Sequence, residues 1–412
     1  MFKIAILGHG VVGSGTAEVF FKNKCGIEKK VGGEVDLKYI LDIREFSGLP
    51  YGDRFVKDFD VILSDPEINV AAELIGGLHP AYDFVKALLK AGKSVVTSNK
   101  ELVAQKGAEL LKIARDNNVS FFFEASVGGG IPIIRSLHQC LAADEIREIA
   151  GILNGTTNFV LTKMFRDGMG FGEALKIARE CGYAEHDPSD DVDGHDACRK
   201  ICILASLAFG KHIYPDYVRT EGIGGITGED VSYCRNWGGS DGGAVKLLGI
   251  AVRHGGKIDI TVCPAFVNGS SRLAGVDDVF NAILVRGDAT GDVVFYGKGA
   301  GKFPTASAVV NDIVNALKKP DKTHSLYWED APEPQDYGGL ESGFYVRIKG
   351  SEPKKAAQSA FGDVGFLHRD GCPDNEKAFV TKRMNDREFN GKLSGLKEAV
   401  EILGKARVFD NL

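Results

Sequence analysis

The 412-residue sequence holds eight cysteines (25, 140, 181, 198, 202, 234, 263 and 372), and no two of them form a Cys-X-X-Cys pair. That lack removes the usual zinc and dithiol spacings, argues against structural disulfides and points to a reducing compartment, so a cytoplasmic location is expected. No apolar run approaches the ~18 residues of a membrane span, so neither a span nor a secretory leader is expected. The apolar segment Phe2 to Leu7 is too short for either and reads as a strand. Positive charge is not in excess: 50 Lys and Arg against 56 Asp and Glu leave a net charge of -6. Nucleic acid and anionic membranes are thereby excluded as partners. What remains is ordinary for a soluble protein, with 44% hydrophobic and 26% charged residues. The length suits two or three domains. Glycine is the exception: 52 residues is roughly double its usual share of about 7%, which predicts many tight turns.

The chain opens as strand, glycine loop, helix. Phe2 to Leu7 runs into Gly8-His9-Gly10-Val11-Val12-Gly13, and a helical pattern follows to about Lys22. This is the order of a dinucleotide fingerprint, in which Gly8, Gly10 and Gly13 let the backbone, with Val11 and Val12, approach a pyrophosphate on the helix N-terminus. Val35 to Leu41 reads as a second strand ending in Asp42. Asp42 suits a ribose 2′-hydroxyl, favouring NAD, and Arg44 suits a 2′-phosphate, favouring NADP; both also read as surface charges. Further strands are expected at Val70 to Ile75, Ser94 to Thr97 and Val119 to Phe123, with helices at Ala81 to Ala91 and Glu101 to Asn117. Thr97 and Lys100 then lie at the carboxyl end of a parallel strand, where ligands bind in open sheets. Glu124, beside the turn Val127-Gly128-Gly129-Gly130-Ile131, presents a carboxylate and carbonyls to a small cation, or marks a hinge.

Two polar stretches follow. Asn154-Gly155-Thr156-Thr157-Asn158 interrupts an apolar passage from Ile149 to Leu161 and offers amides and hydroxyls to a small polar ligand, or forms a plain turn. Between Glu185 and Asp196 fall six carboxylates, leading into the apolar run Ile201 to Phe209. A helix starting near Asp193 places Asp196 and Lys200 four apart on one face, as a salt bridge or as chemistry. A calcium loop fails there, because Lys200 stands where a bidentate Glu is needed. Beyond, Ala244 to Val252 reads as helix or strand, Ile258 to Val267 as strand, and Ala306 to Leu317 as a helix returning to the first domain. Residues 318–339 look like a linker, and 342–412 read as βαββαβ, a ferredoxin-like order.

These residues resemble the homoserine dehydrogenase family over about 300 positions. The resemblance rests on Gly8 to Gly13, Val96 to Glu101, Glu124 to Pro132, Gly151 to Asn158, Gly182 to Lys200, Val245 to Ala251 and Gly297 to Gly301. It implies an α/β chain with a Rossmann-type doubly wound parallel sheet (1–128 plus about 297–320). A second α+β catalytic and dimerisation domain (129–296), a linker (321–341) and an ACT-like ferredoxin-like regulatory domain (342–412) are expected to complete it.

The activity implied is reversible NADP- or NAD-dependent reduction of L-aspartate 4-semialdehyde to L-homoserine. Position by position, Lys200 corresponds to the proton donor and Lys100 to a residue at the cofactor and reaction centre. Glu185, Asp191 and Asp196 correspond to residues holding substrate, and Gly155 and Thr156 to its loop. Glu124 with the carbonyls of Val127, Gly129 and Ile131 corresponds to a structural sodium site. The chemistry is consistent: an amino-acid aldehyde carries an ammonium that suits carboxylates, and its reduced oxygen needs a proton that Lys200 can supply. A homodimer or homotetramer and threonine as effector are also implied. The chain departs from the family in two places. Ser271-Arg272-Leu273-Ala274 stands where relatives carry His-Pro-Leu-Ala, and Pro353 is not followed by the usual Gly, so a purely dimerising tail is the rival expectation. With no kinase half before Met1, a monofunctional enzyme is expected. Another two-domain amino-acid dehydrogenase, or a non-catalytic dinucleotide sensor, would share the fold but would not need both the Asn154 cluster and the Glu185-to-Lys200 spacing.

Overall fold

The computed structural model describes residues 1–238, 242–318, 326–331 and 336–409. The first strands and helices alternate: β1 (Phe2–Leu7), α1 (Val11–Val31), β2 (Val35–Leu41), β3 (Phe55–Val56), α2 (Asp60–Ser64), β4 (Ile68–Glu73), α3 (Ala81–Lys90), β5 (Ser94–Thr97), α4 (Lys100–Asp116) and β6 (Phe121–Phe122). They form a six-stranded parallel sheet in the order β3-β2-β1-β4-β5-β6. That is the order of two mononucleotide-binding halves joined at a switch point between β1 and β4. The register sets Leu7 level with Leu41 and Glu73, and Glu73 level with Thr97. The carboxyl ends of four strands are therefore brought to one line.

The chain then builds β7 (Ile146–Ile152), α5 (Gly155–Arg166), α6 (Phe171–Glu180), α7 (Ser189–Val192), α8 (His195–Phe209), β8 (Arg219–Thr220), α9 (Gly228–Arg235), β9 (Gly243–His254), β10 (Lys257–Asn268), β11 (Phe280–Gly287) and β12 (Gly291–Lys298). Next come α10 (Lys302–Leu317), β13 (Phe344–Lys349), α11 (Pro353–Phe361), β14 (Gly365–Leu367), β15 (Glu376–Val380), α12 (Asp386–Leu396) and β16 (Glu401–Phe409).

Contacts divide the chain into two compact units. The first comprises Met1–Glu145, Cys202–Pro215 and Gly297–Glu333; the second comprises Ile146–Ile201, Asp216–Tyr296 and Pro334–Leu412. Helix α10 belongs to the first unit, as expected. Its Val309, Ile313 and Val314 share a core with Ala17 and Phe20 of α1. A Cβ on Gly15 would lie 2.9 Å from the Lys302 carbonyl, so the close α1–α10 approach needs a glycine there.

The tail departs from the expected separate domain. Its βαββαβ order is present, with strands arranged β16-β13-β15-β14, but β16 pairs in parallel with β10 through Ala265–Val267 and Arg407–Phe409. One ten-stranded sheet thus runs through the second unit and the tail. Buried polar contacts add to it: the Tyr345 hydroxyl donates to Asp230 at 2.7 Å, and Arg347 reaches the same carboxylate at 3.0 Å.

The expected linker lies partly outside the described residues, at 319–325 and 332–335. Its described middle is no spacer. Trp328 is 1% exposed, its indole N–H donating to His212 Nδ1 at 2.8 Å, while His212 Nε2 bonds the Ala104 carbonyl at 2.9 Å. Trp can only donate, so His212 is neutral with its proton on Nε2; burial pushes its pKa down to about 4.

Other boundaries moved. Helix α1 runs to Val31 rather than Lys22, closed by Gly32 in the left-handed conformation. Helix α8 starts at His195, after the short α7, rather than near Asp193. Residues 129–145 belong to the first unit, not the second. Among the described residues no helix is long and apolar enough to cross a membrane.

Candidate active site

The first unit carries the dinucleotide features at its carboxyl edge. Gly8 has φ +95°, and a Cβ there would sit 2.8 Å from the Leu74 carbonyl; a Cβ on Gly13 would sit 2.0 Å from the Gly8 carbonyl. Both positions admit only glycine. Gly10 differs, for nothing lies within 4 Å of where its Cβ would be. It is the N-cap of α1, with no side-chain cap, and Val11 beside it is 69% exposed. An uncapped helix N-terminus bordered by open space suits a pyrophosphate.

Asp42 and Arg44 come together at the end of β2. The Asp42 oxygens accept the His9 amide (2.8 Å), the Arg44 amide (3.0 Å), and Arg44 Nε and Nη2 (3.0 and 2.8 Å). Those bonds, with the Arg44 guanidinium foremost, hold the Asp42 carboxyl far below the usual carboxylate range. Arg44 itself stays 59% exposed. His9 had drawn no expectation. It is buried against Phe46, Tyr51 and Phe55, and so fastens the glycine loop to the β2–β3 connection.

Thr97 is buried, its hydroxyl donating to Glu73 at 2.6 Å. Asn99 caps α4 by accepting the Leu102 amide at 3.0 Å, which sets Lys100 as the first residue of that helix.

Glu124 is buried, and its two oxygens accept the amides of Ile134 (2.8 Å) and Arg135 (2.9 Å). Its own amide donates to Asp312 Oδ2 at 2.8 Å. Burial pushes both carboxyls up, Asp312 to about 7. One guanidinium, Arg135, faces this pair, bonding Asp312 at 3.2 Å. A carboxylate beside the carbonyls of this turn is the kind of donor set that suits a monovalent cation. The Glu124 side chain is also spent as a turn cap. Val127, Gly129 and Ile131 follow on the same turn, where a Cβ on Gly129 would meet Gly299 at 2.6 Å. Among the described residues no three His, Cys, Asp or Glu side chains form a metal cluster.

In the second unit four side chains converge. Lys200 Nζ donates to Asp196 Oδ2 at 2.7 Å and to the Leu153 carbonyl at 2.9 Å. Asn154 Nδ2 donates to the same Asp196 oxygen at 2.8 Å and to Asp191 Oδ1 at 2.6 Å. Asn154 Oδ1 meanwhile caps α5 through the Thr157 amide at 2.9 Å. Burial, then the charge of Asp196, raises the Asp191 carboxyl. Asp191 and Asp196 are thus held side by side by the Asn154 amide, an arrangement whose chemistry suits a substrate ammonium.

The remaining expected residues sit around that cluster. Thr156 donates to the Tyr183 carbonyl at 2.7 Å, tying the acidic turn to α5. Gly155 is required by packing, since a Cβ would lie 2.9 Å from the Val279 carbonyl. Glu185 lies exposed on the turn, while Lys200 donates to Asp196 and the Leu153 carbonyl. Asn154 was noticed in sequence only as one member of a polar cluster, and its position one residue before Gly-Thr-Thr was the signal for a helix cap that could also reach carboxylates.

The chain is similar to known proteins along most of its length. The family model for the homoserine dehydrogenase NAD-binding domain matches residues 8–124, and the family model for homoserine dehydrogenase matches residues 132–314. The homoserine dehydrogenase of Bacillus subtilis is 41% identical over 320 residues, covering 77% of this chain and 73% of that one. The solved homoserine dehydrogenase of Thiobacillus denitrificans superimposes with a TM-score of 0.88 at 32% identity, covering 99% and 98% of the two chains. A hyperthermophilic archaeal homoserine dehydrogenase mutant solved with NADPH aligns with a TM-score of 0.65 at 29% identity, over 78% of this chain and 99% of that one. With both family models matched in order and 41% identity over 320 residues, the chain belongs to the homoserine dehydrogenase family.

Proposed function

We propose that this chain reduces L-aspartate 4-semialdehyde to L-homoserine, with Lys200 delivering the proton. The observation that carries the assignment is the Lys200–Asp196–Asn154–Asp191 cluster. Bound at the carboxyl edge of the first sheet, a nicotinamide dinucleotide supplies the hydride. The chain's own groups do the rest. Asp191, with Glu185 and the Thr156 loop, takes the substrate ammonium and fixes its orientation. Reduction leaves negative charge on the former carbonyl oxygen, and the Lys200 ammonium, held by Asp196 and the Leu153 carbonyl, donates to it. Lys100, the first residue of α4, is assigned to the cofactor side of the reaction by its family correspondence.

Gly8, Gly10, Val11, Val12 and Gly13 would hold the pyrophosphate, with Thr97 shaping the neighbouring loop. NADP is the favoured dinucleotide. Both Asp42 oxygens are engaged and its charge is offset by Arg44, while the Arg44 guanidinium remains exposed to meet a 2′-phosphate. A sodium ion held by Glu124 and the carbonyls of Val127, Gly129 and Ile131 would offset the charge of the Glu124–Asp312 pair. The tail is assigned an ACT-like regulatory role, with threonine as effector, in a cytoplasmic homodimer or homotetramer.

The test is consumption of NADPH or NADH with L-aspartate 4-semialdehyde, with and without threonine. Oxidation that threonine reduces supports both parts; oxidation indifferent to threonine removes the effector role alone. No oxidation with either cofactor overturns the assignment.

A further inference from the structure

The last residue of β4, Glu73, is 0% exposed and has no part in the proposed chemistry. Among the described residues its carboxylate is bonded by a hydroxyl and amides rather than by a cation. The Thr97 hydroxyl donates to Oε2 at 2.6 Å, and the amides of Ile75 and Gly76 donate to Oε1 at 2.8 and 3.4 Å. Burial pushes its carboxyl up, opposed by these bonds and by Asn99. A buried carboxylate without a cationic partner is expensive to keep.

Its bonds reach two loops at once. Thr97 Oγ1 accepts the Asn99 amide at 2.9 Å, and Asn99 Nδ2 returns to the Gly77 carbonyl at 2.6 Å. The circuit runs Glu73, Thr97, Asn99, Gly77 and back through Gly76 to Glu73. It joins the loop after β4 to the loop after β5. Gly76 and Gly77 have φ of +85° and +69°, and nothing lies within 4 Å of either Cβ position, so side-chain packing does not hold that loop. The hydrogen bonds must. Lys100 follows Asn99 directly.

In this strand order the glycine loop and the end of β2 serve the adenosine half of a dinucleotide, and β4 to β6 serve the nicotinamide half. We propose that Glu73 is a positioning residue for the nicotinamide half of the cofactor, holding loops 75–77 and 97–100 in the shape that receives it. The proposal rests on dinucleotide binding by the first unit, which NADPH binding to the unaltered protein tests separately.

Two variants probe it: Glu73→Leu removes every acceptor at similar volume, and Glu73→Gln keeps one oxygen but places a donor among donors. NADPH dissociation constants come from fluorescence titration, the KM for L-aspartate 4-semialdehyde from initial rates, and folding from thermal melts. For Glu73→Leu the NADPH dissociation constant is expected to rise at least about tenfold, the scale of one lost hydrogen bond to a charged group. Glu73→Gln is expected to show a smaller rise. In both, the aldehyde KM should move less than the NADPH constant does, because the carboxylates assigned to its ammonium lie in the second unit. A purely structural role would lower the melting temperature and leave the NADPH constant of the folded protein unchanged. NADPH constants within about twofold of the unaltered protein overturn the proposal. If the leucine variant does not fold, the glutamine variant decides on the same criterion.

Discussion

Replacing Asn154 by alanine and by aspartate separates its two duties. Its carbonyl oxygen caps α5 through the Thr157 amide and hydroxyl, at 2.9 and 3.0 Å. Its amide nitrogen satisfies Asp191 and Asp196, at 2.6 and 2.8 Å. Alanine loses both. The cap is worth about 1 kcal/mol. Each bond to a carboxylate is worth roughly 1.5–3 kcal/mol, less at Asp191, which is only part-buried. The alanine variant should therefore lose roughly 3–5 kcal/mol of stability, together with affinity for L-homoserine. Aspartate caps a helix as well as asparagine does. Here, however, it sets a third carboxylate against two others, and like charges ~3 Å apart repel by about 5 kcal/mol at an effective dielectric of ~20. The new carboxyl would take up a proton in the folded state and release it on unfolding. The folded state then binds more protons than the unfolded one, so stability falls as pH rises. Urea melts at about pH 5 and about pH 8, with the KM for L-homoserine, test this. An aspartate variant as stable as the unaltered protein at both pH values, with unchanged KM, refutes the donor role of Asn154.

Arg44→Ala should raise the KM for NADPH at least about tenfold, the worth of one charge-assisted bond to phosphate, and leave the KM for NADH nearly unchanged. An equal effect on both cofactors contradicts the NADP reading. The Asp312 carboxyl is raised to about 7 in the fold against about 3.9 when free. The folded state therefore keeps a proton that the unfolded chain gives up, and stability falls as pH climbs from about 4 to about 7. Asp312→Asn removes that slope, so the stability lead of the unaltered protein over the variant should shrink across this window. A difference that stays flat contradicts the shift. Replacing sodium by tetramethylammonium at constant ionic strength should lower the melting temperature, since an ion at tenfold its dissociation constant contributes about 1.4 kcal/mol. An unchanged melt contradicts the sodium assignment.

Much of the first unit was legible because its strands are buried on both faces. Phe2 to Leu7 reads as an apolar run of strand length ended by Gly8, and Val95 and Val96 form the apolar centre of Ser94 to Thr97. The second half of α1 was not legible. Lys22 to Gly26 carries no apolar stripe, yet the helix continues because Ile27 is buried and Gly32 supplies the left-handed cap. Helix α12 was expected at Leu393 to Leu403 and lies at Asp386–Leu396. The cap that starts it is Asn385, accepting the Glu388 amide at 3.0 Å, a signal outweighed by the later leucines. Strand β9 was ambiguous because nine consecutive residues from Gly243 are buried, which erases any period. The proline-rich and acidic character around Trp328 read as linker, while a buried Trp–His pair holds the segment down. In the second unit, the four-residue spacing of Asp196 and Lys200 gave their contact directly. Asn154 bonds Asp191 and Asp196 from 37 and 42 residues away, a distance no local pattern encodes. Glu73 was equally hidden, a single carboxylate at the end of an apolar strand.

That Lys200 is the proton source is decided by turnover of the Lys200→Ala variant with L-aspartate 4-semialdehyde and NADPH. Turnover should fall at least ~10²-fold, the scale of a lost general acid, with NADPH affinity retained because the cofactor residues lie in the first unit. Near-normal turnover in that variant would contradict the account.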